Sequence, residues 1–195
     1  MFGRSKPAMT DWSKLKVHGT STDVLQHKAN LLAGKLVLNS KGMAEAITKF
    51  EPLEKLGLSD KAYRINLECL GLNLEVTSRL AFNILAPKPR EIFCNFLDQS
   101  VFQLFFMDNH LLDPAAQQTL IDHLNEVQGR FVDAKQLFVA PGEPPKDTLL
   151  WEFAKYLGLE VLGLPDDGTI FLYQAIYIQF GIDSADTNIP QLLKL

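Results

Sequence analysis

The residues of this chain best spaced for chemistry fall between positions 108 and 126: Asp108, His110, Asp122, His123 and Glu126. If a helix ends near His110 and the next begins after Asp113, the short link makes the two antiparallel neighbours, and the end of one lies beside the early turns of the other. His123 and Glu126 stand three apart on one helical face. Di-metal carboxylate bundles use that spacing in the order Glu then His, with inward carboxylates from two further helices. Here the order is reversed, and Glu68 and Glu75 are the candidate donors of the other carboxylates. The competing reading leaves His110 at a helix C-terminus, where its charge suits the macrodipole, and His123 with Glu126 on a solvated face. Asp108 opposes the macrodipole in the last turn of a helix and falls on the apolar side. It therefore needs a partner, either backbone N–H groups ahead of it or a cation such as Arg79.

A second group is aromatic. Tyr173 and Tyr177, with Phe171 and Phe180, could line a pocket for an apolar ligand or simply fill a core. Cys69 and Cys94 lie in apolar helical segments without an adjacent histidine or basic cluster, which marks them as inert, reduced thiols. The chain holds no Gly-rich phosphate loop, nucleophile elbow, CxxC pair or HExxH helix. No catalytic residue is assigned, no cofactor is implied, and an enzyme is not the favoured expectation.

The elements that must position these residues read as helices. The stretch 92–112 holds five of the thirteen phenylalanines. Phe93, Phe96, Leu97, Val101, Leu104, Phe105, Met107, Leu111 and Leu112 fill one broad arc, with Phe102 and Phe106 inside the opposite polar stripe. This pattern predicts a buried central helix, and it makes Phe102 and Phe106 candidate interface residues. Upstream, Thr20–Thr22 offer caps for a first helix, Asn39–Gly42 reads as a turn, and Pro52 suits a first-turn position. Gly57 then reads as a helix stop, followed by a long helix over 60–85 that Gly71 bends or cuts. The sequence LGL recurs at 56–58, 70–72, 157–159 and 162–164, which reads as repeated helix-end chemistry. Downstream, Asp113–Pro114 caps a helix running to Phe138, and 139–147 is a Pro-rich loop. Asp147 or Thr148 caps a helix over 148–162. The segment 169–180 reads as a helix that Thr169 caps and Gly181 stops. Its β-branched and aromatic content keeps a short hairpin near 159–180 as the rival. A short helix follows Pro190.

These elements make a mainly α fold: one helical domain over 21–195, a multi-helix bundle around the 92–112 helix, preceded by a flexible basic arm over 1–20. With 195 residues, 47% hydrophobic and 22% charged, the chain suits one folded domain. Its net charge of −4 is unevenly spread: residues 1–49 carry +5, residues 50–90 carry +1 and residues 91–195 carry −10. The sparse basic residues form no stripe, so nucleic acid is not an expected partner. No apolar run approaches the roughly 18 residues a membrane span needs, and the N-terminus has no secretory pattern, so a cytoplasmic protein is expected. The functional expectation is a regulatory or adaptor protein that works through protein contact and self-association. The alternative is a small-molecule or metal-binding helical protein, or an enzyme, with its site near Asp108, His110 and His123.

Overall fold

A computed structural model describes residues 21–131, 133–134, 136–137 and 146–193. The basic arm over 1–20 and most of the 139–147 loop lie outside the described residues. The fold is mainly α, with eight α-helices and no strand among the described residues. Helix α1 (Ser21–Lys49) leads into the single turn α2 (Glu51–Glu54) and a 3-10 turn at Leu58–Lys61. Then come α3 (Ala62–Ile84), α4 (Pro87–Asp108) and α5 (Pro114–Arg130). Helix α6 (Leu149–Lys155) continues as a π-helical segment over Tyr156–Leu162, and α7 (Asp166–Thr187) and α8 (Ile189–Leu193) complete the chain. No described helix is long and apolar enough to cross a membrane.

The helix enclosed by its neighbours is α3, not the 92–112 stretch. Helix α3 carries two stripes on different sides. Ile65, Cys69, Leu72 and Val76 enter one core with α6, α7 and the π segment, while Leu70, Leu74, Ala81 and Ile84 enter a second core with α4 and α8. Helix α4 lies chiefly along α1 and buries a single line of Phe93, Leu97, Val101 and Phe105, spaced four apart. Its abundance of phenylalanine signalled surface to cover, but one stripe in contact with α1 covers most of it. The polar residues Asn66, Glu68, Asn73 and Thr77 make α3 look less like a core helix in sequence, yet all are buried.

Several element boundaries also differ from the sequence reading, each for a local reason. Helix α1 runs unbroken through Asn39–Gly42, because Val37, Ser40, Met43, Ala44 and Ile47 continue its buried stripe and the Ser40 hydroxyl donates to the Val37 carbonyl at 2.9 Å. The Asp113 cap is as expected, its carboxylate accepting from the N–H groups of Ala115 and Ala116. The helix it starts ends at Arg130, not Phe138, and the Arg79 guanidinium donates to the carbonyls of Phe131 and Ala134 just beyond that end. Thr148 caps α6 by accepting from the Trp151 N–H at 3.3 Å. The rival hairpin near 159–180 is helical instead, and α7 continues past Gly181 to Thr187. Of the LGL glycines, Gly57 and Gly163 take left-handed backbone at helix ends, with φ of 64° and 67°. Gly71 and Gly158 lie within helices and serve close packing instead.

Candidate functional site

The site forms where α5 crosses α3. A Cβ built on Gly71 would lie 2.5 Å from Val127 Cγ1, so only glycine lets α5 approach α3 this closely. One turn earlier on each helix stand Glu68 and His123, and the approach brings them together. Glu68, 0% exposed, accepts from His123 Nε2 at 3.0 Å through its Oε1. With the carboxylate ionised, that ring nitrogen is the donor. From the other side Tyr156, the first residue of the π-helical segment, donates its hydroxyl to the same oxygen at 3.4 Å. The second oxygen, Oε2, is buried without a hydrogen-bond partner among the described residues.

Electrostatics at this centre follow from burial. The Tyr156 hydroxyl is pushed above its ordinary value, first by desolvation and then by the Glu68 charge. Arg130, whose guanidinium lies 4.2 Å from the ring centroid, acts in the opposite direction. The Cys69 thiol, beside Glu68 in sequence, is raised well above its usual value, chiefly by burial and further by Glu68 and Asp183. Cys94 is pushed up to about 11, mainly by burial. Neither is a nucleophile at neutral pH.

The arrangement can hold an imidazole in a fixed orientation and keep a proton between His123 and Glu68. No hydroxyl or thiol is hydrogen-bonded to His123 among the described residues, so a nucleophile–base pair is not assembled there. His123 instead opens on its other side to a cleft of about 570 Å³ between α3 and α5.

The sequence-derived candidates are dispersed. Helix α5 packs on α3 while α4 lies along α1, so the antiparallel α4–α5 pair that would have joined Asp108 to His123 does not organise this region. Asp108 forms an ion pair with Lys41 of α1, not with Arg79, and Arg79 pairs with Glu75 at 2.6 Å. His110 is exposed and takes a left-handed backbone, with φ of 53°. His123 and Glu126 separate: His123 turns to Glu68, whereas Glu126 accepts from Arg130 at 2.5 Å. Among the described residues no group of three His, Cys, Asp or Glu side chains is placed to hold a metal.

Phe102 and Phe106 stack on each other with centroids 6.3 Å apart, half-buried against the α1–α4 core. Tyr173 and Tyr177 lie 5.9 Å apart, and Trp151 meets Tyr173 edge-on at 5.5 Å. Tyr173 packs against the core of α6 and α7, while Tyr177 is exposed. Sequence reasoning named Glu68 only as a distant metal donor and gave Tyr156 no role. The available signal was Glu68 within an otherwise apolar stretch, LECLGL. Compared with known protein families, curated proteins and solved structures, the chain matches none.

Proposed function

We propose that the protein works through protein contact, that the outer face of α7 is its docking surface, and that its first partner is a second copy of the same chain. The observation that carries this reading is a mismatch between α7's composition and its surroundings. From Ile170 to Ile178 every residue but Gln174 is apolar or tyrosine. A helix that is apolar on all sides calls for cover on all sides. Leu172, Ala175 and Ile176 are buried, but Ile170 is 49% exposed, Phe171 39%, Tyr177 37% and Ile178 56%.

These four, with Gln174 and Gly181, make one continuous face at helical spacing that carries no charge between positions 170 and 181, with Asp167 one turn before it. An uncharged face is compatible with its own image across a two-fold axis, where a charged one would meet like charges. At Gly181 an added Cβ would meet nothing within 4 Å, which leaves the backbone there open to a second helix.

Replacing Ile170 and Ile178 together by glutamate tests the reading by sedimentation velocity and thermal melting. The expected result is a wild-type protein heavier than its 21.9 kDa monomer and a monomeric variant that melts no lower than the wild-type monomer. A wild-type protein that sediments as a monomer at every concentration overturns self-association. A variant with lower stability and unchanged mass would place both side chains in a monomer core instead.

A further inference from the structure

The cleft between α3 and α5 has the composition of a site for a small amphiphile. Its walls are Leu67, Leu111, Ala116 and Leu120, and its rim carries Arg64 and His123 with Tyr63 and Thr119. Among the described residues no aspartate or glutamate lines it. At about 570 Å³ it falls within the ordinary range of small-ligand sites, roughly 300–1,000 Å³.

Arg64 gives the rim its sign. Arg64 has no ion-pair partner among the described residues, whereas Arg79 and Arg130 are both held by a glutamate one turn away. His123 is braced from behind by the buried Glu68, which fixes the imidazole at the cleft instead of leaving it to rotate on the surface. A guanidinium without an ion pair among the described residues, above leucine walls and beside an anchored imidazole, suits a ligand with an anionic head and an apolar tail.

We infer that this cleft binds a free monocarboxylate with a short aliphatic or aromatic tail, its carboxylate against Arg64 and its tail against Leu67, Leu111 and Leu120. This site is independent of the α7 surface, so either assignment can fail alone.

Titration calorimetry with sodium octanoate, matched by 1-octanol and by anionic phospholipid vesicles, tests it on the full chain. Octanoate is expected to saturate one site, and octanol to bind about tenfold more weakly, the value of one charge-assisted contact. Arg64→Gln, at an exposed side chain with no hydrogen bond or ion pair among the described residues, is expected to weaken octanoate by about the same factor while leaving the octanol affinity and the melting temperature unchanged. Ala116→Phe, which fills the cleft, should abolish binding of both. The absence of saturable octanoate binding overturns the inference. So does equal binding of octanol and octanoate that Arg64→Gln does not alter, and so does binding to vesicles without binding to octanoate.

Discussion

Asp98 lies on α4 one turn beyond Cys94, and burial pushes its carboxyl up from 3.8 to about 6. The folded state therefore prefers Asp98 protonated more than the unfolded chain does. Its contribution to stability is fully present below about pH 4 and is lost as the pH rises through about 6. Asp98→Asn removes that loss. Because the side chain keeps some contact with solvent, the expected gain at pH 7 is on the order of 1–2 kcal/mol, vanishing near pH 4. Urea denaturation of both proteins at pH 4 and pH 7 measures it, and an equal difference at the two pH values would contradict this account. Asp108, by contrast, pairs with Lys41 where both side chains are substantially exposed. Asp108→Asn should change stability by less than about 1 kcal/mol.

For the helices, the decisive contact is the one between Gly71 and Val127. Gly71→Ala places a methyl group 2.5 Å from Val127 Cγ1, and a β-branched side chain on a helix has little freedom to give way. The helices must separate, with an expected loss of about 1–3 kcal/mol from overpacking, although alanine is the better helix former. The same separation lengthens the His123–Glu68 hydrogen bond one turn away. The imidazole ¹⁵N shifts of His123 should therefore change in Gly71→Ala, and Gly71→Ala/Val127→Ala should restore them. Unchanged shifts in the single variant would mean that the interhelical distance does not control the pair. Gly34, with nothing within 4 Å of its added Cβ, is the contrasting case: Gly34→Ala should stabilise α1 by about 0.5–1 kcal/mol.

In the whole molecule, α3 supplies one wall to each of the two cores, α1 contributes buried residues to both, and α8 adds Ile189 and Leu193 to one. Leu72 enters one core and Leu74 the other, both from α3. Leu72→Ala and Leu74→Ala are each expected to cost about 2–5 kcal/mol and to shift one common unfolding transition, because neither core retains its wall once α3 melts. Circular dichroism reports all helices, and near-ultraviolet signals report the Trp151–Tyr173 contact at the edge of one core. Coincident transitions by both probes are the expected result. Two separated transitions, each shifted by one variant alone, would show that the cores fold independently.

Legibility in the sequence followed the range of the interactions involved. Helical periodicity, the Asp113 and Thr148 caps and the left-handed Gly57 are local features, and each depends on residues within a turn or two of itself. The sequence alone therefore determined that the protein is helical and where most of its helices begin. Which helix is surrounded depends on who packs against whom. Phenylalanine-rich α4 and polar-flecked α3 exchanged their expected roles because α1 covers one line of α4, whereas neighbours close on two sides of α3. The Glu68–His123–Tyr156 cluster joins residues 55 and 88 positions apart, and no spacing rule reaches that far. Only the tertiary structure decided it, because the position of a buried carboxylate is set by the helices that close over it.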